Sequence, residues 1–186
     1  FRTKNIDNYC GYIEFGEGET LVGIIGHLDV VPSGDGWDTP PFEATIKSGK
    51  IFGRGAIDDK GPSIASLYAM KAIKDNQKVN SRVRLILGVN EEKGWKCIKH
   101  YKEKEEWPTI GFSPDADFPC IYAEKGIATV YIKDDFSKYE NYPIKITNID
   151  CNNNAINVVP KMCDVTLEID TSKINLTDIT NFIDNE

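Results

Sequence analysis

The chain has 186 residues, 40% of them hydrophobic, and 22 lysines and arginines against 29 aspartates and glutamates give a formal charge of −7. That length buries the core of one full domain with material for part of a second. The acidic balance, free of basic runs, leaves nucleic acid and anionic membranes without an electrostatic footprint.

The first strand-like run is YCGYIEF at 9–15, followed by the apolar LVGIIG at 21–26. FEATIKSGKIFGRG, at 42–55, reads as a hairpin turning at KSGK. A helix is predicted from near Pro62, a residue favoured in the first helical turn, with Ile64, Leu67, Met70 and Ile73 on or near one face. RVRLILGV at 82–89 is the next strand, and GWKCIKHYKEKEEW the next helix, with Trp95, Ile98 and Tyr101 inward and His100 exposed. IATVYIK at 127–133 is a further strand. Strands alternating with helices imply an α/β layered domain with a mostly parallel central sheet. From about residue 143 the character changes to strand-like pieces around an Asn-rich turn, then a helix from about Leu176. Two units are therefore expected, 1–142 and an α+β unit opening at 143–186.

No apolar stretch approaches the roughly 20 residues of a membrane span, and no charged-then-apolar signal segment is present. The five cysteines are odd in number, widely spaced and free of any C-x-x-C pair. That pattern argues against a disulfide framework or a thiolate zinc site, and for reduced thiols in the cytoplasm.

In open α/β sheets, ligands gather beyond the carboxyl ends of the strands. Four segments place acids or a histidine there: His27 and Asp29 after LVGIIG, Asp58 and Asp59 in DDKGP, Glu91 and Glu92 in NEEKG, and Asp115 and Asp117 in SPDAD. Taken singly, each is also an ordinary solvated surface segment. GRGAIDDKG fails as a phosphate loop because its acids would repel the phosphate, and SPDAD lacks the remaining ligands of a calcium loop. Several carboxylates gathered around one imidazole stay costly unless a cation neutralises them. A nitrogen with hard carboxylate oxygens suits zinc, manganese or a similar ion. Adjacent glutamates fit such a centre, since one can bind metal while its neighbour takes a proton from water.

Together GHLDVVPSGDGW, GRGAIDDKGP, NEEKGWKC, GFSPDADFP and AEKGIATV, in that order, resemble the di-zinc exopeptidases and deacylases, most closely the dipeptidase V subfamily. The resemblance implies a three-layer α/β catalytic domain with a mostly parallel or mixed sheet, interrupted by an α+β lid that would begin near residue 143. It implies two divalent ions, zinc foremost, with manganese or cobalt as alternatives. His27 and Asp115 would hold the first ion, Asp58 would bridge both, and Glu92 would end the second site. Asp29 would bond the other imidazole nitrogen, Glu91 would be the general base, and a cis peptide would join Asp58 to Asp59. VPSGDGWDTPPF would form the rim of the cleft, and Asn157 in the lid would contact substrate.

The activity implied is hydrolysis of dipeptides or short peptides. An N-acyl amino acid deacylase or desuccinylase, and a metal-binding fragment without turnover, are the alternatives. Asn90 departs from the acid common at that position in close relatives. The family's second site also uses a histidine far down the chain, and none follows His100. The chain is therefore expected to be a fragment, inactive alone, with uncovered apolar surface that favours self-association.

Overall fold

A computed structural model describes residues 1–117, 119–126, 128, 130, 142–151, 160 and 162–184, with the side chains of 182–184 left undescribed. Its first strands are β1 (Arg2–Ile6), β2 (Cys10–Phe15) and β3 (Leu21–His27). A small hairpin of β4 (Thr45–Lys47) and β5 (Lys50–Phe52) follows. Its turn falls at KSGK, where Ser48 and Gly49 both take positive φ, the conformation that two-residue hairpin loops favour. A turn at Ala56–Lys60, kinked at Asp58 and Asp59, leads into α1 (Gly61–Asn76), then β6 (Arg82–Gly88), α2 (Lys96–Lys104) and β7 (Ile110–Phe112).

Five strands form one sheet in the order β1-β2-β6-β3-β7. β3 pairs in parallel with β6 and β7, while β1–β2 and β2–β6 are antiparallel, so the sheet is mixed. β3 and β6 are central and packed on both faces. LVGIIG of β3 is accordingly a near-continuous apolar run, whereas β6 carries Arg82 and Arg84 ahead of its apolar LILG. One face carries α1, with Phe15, Ile24, Leu85 and Met70 buried together. The other carries α2, with Ile6, Cys10, Ile86, Cys97 and Tyr101. On that face Arg84 donates to Glu14 at 2.6 Å and to the Tyr101 hydroxyl at 2.6 Å, and its guanidinium lies 4.0 Å from the centre of the Tyr12 ring.

Two helix faces differ from expectation. α1 buries Ser63, Ser66 and Met70, while Ile64 and Ile73 are exposed. Leu67 and Met70 pack against the core as expected, and the small Ser63 beside Gly26 lets the helix approach β3 closely. In α2 the anchors are Cys97 and Tyr101, both fully buried. Trp95 precedes the helix in a left-handed conformation, so it leaves the apolar stripe. His100 is half-buried and its Nε2 lies 2.8 Å from Asp7 Oδ2.

The described residues divide into compact units Phe1–Glu124 and Lys125–Glu186. In the second, β8 (Ile144–Asp150) and β9 (Asp164–Ile169) pair antiparallel, followed by α3 (Leu176–Asp184). Of the strand expected at 127–133 only Ala128 and Val130 are described, and the Asn-rich turn and Asn157 lie outside the described residues. The expectation that all five thiols are free needs correction: Cys151 and Cys163 are joined by a disulfide, which brings β8 and β9 together at one end. Cys10, Cys97 and Cys120 are free. No described helix is long and apolar enough to cross a membrane.

Candidate metal centre

Parallel pairing aligns the carboxyl ends of β3 and β6, with His27 opposite Gly88. Polar residues that follow these strands therefore emerge side by side. His27 is the last residue of β3 and is fully buried. Its Nε2 lies 2.8 Å from Asp58 Oδ1 and 3.4 Å from Asp115 Oδ2. Its Nδ1 lies 2.9 Å from the main-chain carbonyl of Asp29 and 3.5 Å from that residue's carboxylate.

Ligand atoms of His27, Asp58 and Glu92 lie within 4.8 Å of one another, and so do those of His27, Glu91 and Asp115. All six residues expected here from the sequence within the first unit, namely His27, Asp29, Asp58, Glu91, Glu92 and Asp115, are thus brought to one place. Asp117 belongs to neither group. The Asp58–Asp59 peptide bond is cis.

Crowding of like charge shapes the electrostatics. Burial pushes the Glu91 carboxyl up, and Glu92, Asp115 and Asp58 add to it against the relief from His27. Burial likewise raises Glu92 and Asp115, each reinforced by Asp58. Burial opposes a charged His27, yet Asp115, the Asp29 carbonyl, Asp58 and Glu91 together hold it above the usual histidine range. One imidazole nitrogen and the carboxylate oxygens gathered around it make a donor set that fits a divalent cation.

Asp59, named in the sequence beside Asp58 but given no ligand or catalytic role there, is fully buried beneath the site. Its Oδ2 accepts from the backbone N–H of His27 at 3.1 Å and from Ser63 Oγ at 3.0 Å. Its Oδ1 is buried without a hydrogen-bond partner among the described residues. Burial pushes its carboxyl up against the opposing bonds from Ser63 and His27. The bond from Ser63 ties the first turn of α1 to the end of β3.

Of two clefts in the first unit, the first is lined by residues of the centre. Of about 860 Å³, it includes Glu91, Trp95, Phe112, Asp115 and Tyr122 in its lining. The other, about 750 Å³, is lined mainly by apolar groups including Phe42, Ile57, Ile64 and Tyr68. Between β3 and β4, the Trp37 indole N–H and Arg54 Nη2 both donate to the Ser33 carbonyl, at 2.8 and 3.0 Å. The Arg54 guanidinium also sits 5.4 Å from the centre of the Trp37 ring, which pins this loop.

The profile of Peptidase family M20/M25/M40 matches residues 23–180, which include every segment of the centre. The chain belongs to that family. Among relatives of this M20 chain, "Putative dipeptidase YtjP" of Bacillus subtilis is 56% identical over 128 residues, 68% of this chain and 28% of the relative. "Putative dipeptidase SAUSA300_1697" of Staphylococcus aureus is 50% identical over 130 residues, 69% of this chain and 28% of the relative. The matched part of the chain thus spans little more than a quarter of these relatives' length. Human carnosine dipeptidase 1 matches with 36% identity and a TM-score of 0.45, over 52% of this chain and 22% of that one. Membership of a metallopeptidase family agrees with a divalent ion among the clustered donors.

Proposed function

We propose that the protein carrying this chain hydrolyses the peptide bond of dipeptides or short peptides with two divalent ions, zinc foremost, held at the ends of β3, β6 and β7. The observation that carries this reading is the gathering of four carboxylates around His27 in two groups that share it, in a chain of the M20 family. The names of the relatives support the substrate class.

In this reading His27, Asp58, Glu92 and Asp115 would hold the ions. Bound ions supply Lewis-acid activation of water and of the scissile carbonyl. Glu91 accepts the proton of the attacking water and delivers it to the leaving amine. A carboxyl raised by burial and by its neighbours suits that exchange, because its proton affinity moves toward working pH. Asp29 accepts from Nδ1–H of His27 and so leaves Nε2 free to face the ions. The segment from residue 143 would belong to a lid in the full-length protein, and Asn157, outside the described residues, would contact substrate.

Glu91→Ala in the full-length protein is expected to lower kcat by about 10² to 10⁴-fold, the usual range for removal of a general base, with metal content unchanged. Dipeptides and N-acyl amino acids assayed side by side with elemental analysis of the same samples provide the check. Retained turnover removes Glu91 from the mechanism, and preference for N-acyl substrates replaces the dipeptidase reading by the deacylase one.

A further inference from the structure

Asp29 contacts both halves of the centre through different atoms. Its main-chain carbonyl already satisfies His27 Nδ1 at 2.9 Å, whereas the nearest carboxylate oxygen is 3.5 Å from that nitrogen. The carboxylate has other partners. Oδ1 accepts the backbone N–H of Glu91 at 3.0 Å, and Oδ2 accepts that of Glu92 at 3.3 Å. These amides lie just beyond the end of β6, and the turn they belong to has no strand beside it to receive them. The parallel ladder runs one step past the strand ends, with Leu28 N–H donating to the Gly88 carbonyl at 2.9 Å, so Asp29 is delivered alongside that turn.

We infer that the Asp29 carboxylate is a positioning device for the Glu91–Glu92 backbone, and that the imidazole is oriented by the Asp29 main chain instead. Resting on the reading of Glu91 as base and Glu92 as ligand, the inference gives one side chain control over how both glutamates are presented. Two N–H groups donating to one carboxylate, one to each oxygen, form charge-assisted bonds that fix the turn in rotation as well as distance. Two backbone groups that would otherwise lack a partner within the fold are satisfied by the same device. The imidazole contact, made by the main chain, survives any change of the side chain.

The test is nitrogen–proton NMR of the 186-residue chain, comparing wild type with Asp29→Ala and Asp29→Asn. In Asp29→Ala the amides of Glu91 and Glu92 are expected to exchange at least tenfold faster with solvent, while the His27 Nδ1–H resonance and the amides of β3 and β6 stay in place. Asp29→Asn keeps one acceptor oxygen and is expected to retain protection at one of the two amides. Should the alanine variant not fold, the asparagine variant decides alone: protection lost at neither amide, or a displaced His27 ring signal with both amides unchanged, overturns the inference. Adding zinc to the wild-type chain is expected to leave both amides protected. Because the readout is backbone exchange, it is independent of whether Glu91→Ala abolishes turnover in the full-length protein. Failure of the clamp and failure of the proposed base are thereby told apart.

Discussion

Gly26 shows how closely single residues are fitted around the centre. A Cβ there would overlap Ser63 Oγ and lie 2.6 Å from Asp59 Oδ2. The absent side chain therefore lets α1 reach the end of β3, where Asp59 bonds both the His27 backbone and Ser63. Gly26→Ala is expected to destabilise the chain by about 1–3 kcal/mol, the range for forcing an extra carbon into a packed site. Urea denaturation read by circular dichroism checks the magnitude. A variant as stable as wild type would mean that the helix and strand can separate without cost.

Among elements, the pairing of β2 with β6 is pinned by charge as well as by apolar packing. Glu14 on β2 and Arg84 on β6 stand opposite each other in register, and their side chains are about 95% buried. Burial alone would raise the Glu14 carboxyl, but hydrogen bonds and charge from Arg2 and Arg84 more than offset that, so it lies below the usual carboxylate range. Glu14→Gln leaves Arg84 buried without its counter-charge, although the Tyr101 hydroxyl still accepts from it. The expected loss is about 3–5 kcal/mol, as for breaking one side of a buried pair. Chemical denaturation of the variant beside Glu14→Gln/Arg84→Met separates the cost of an unpaired charge from that of lost packing. The double variant is expected to recover part of the loss.

At the scale of the whole molecule, the crowded centre sets how stability responds to pH and metal. Glu91, Glu92 and Asp115 are raised above 4.5, 4.5 and 3.8, and His27 above 6.5. Each therefore binds more protons folded than unfolded once pH exceeds its unfolded value, so metal-free stability falls as pH rises. The carboxylates lowered by surface ion pairs, such as Asp7 and Glu106, act with the opposite sign. Their contribution is fully present above their unfolded values and is lost only as pH falls through the lower folded ones, outside the window from 5.5 to 8. Between pH 5.5 and 8 the metal-free chain is expected to lose stability. Zinc in excess is expected to reverse the trend, adding about 2.7 kcal/mol at a hundred times its Kd. Thermal melts with chelator and with zinc at the two pH values decide this. A metal-free chain more stable at pH 8 would contradict the electrostatic account of the centre.

Much of this was legible in the chain itself. The apolar runs of β3 and β6, the KSGK turn, Pro62 at a helix start and the strand-end positions of His27, Glu91 and Asp115 follow from local rules of periodicity, turn chemistry and connection. The residues that meet at the centre were legible for the same reason, because polar groups placed after central strands emerge together. The rest depended on partners distant in sequence. Ser63 faces inward where Gly26 leaves room for it, which no helical period reveals. The disulfide between Cys151 and Cys163 follows from pairing β8 with β9. Sequence determined which residues reach the crevice, since that is fixed by the direction of each strand. Tertiary structure decided what each atom does there: Asp29 has one carbonyl and two carboxylate oxygens, and only the packing of β3 against the turn after β6 distributes them.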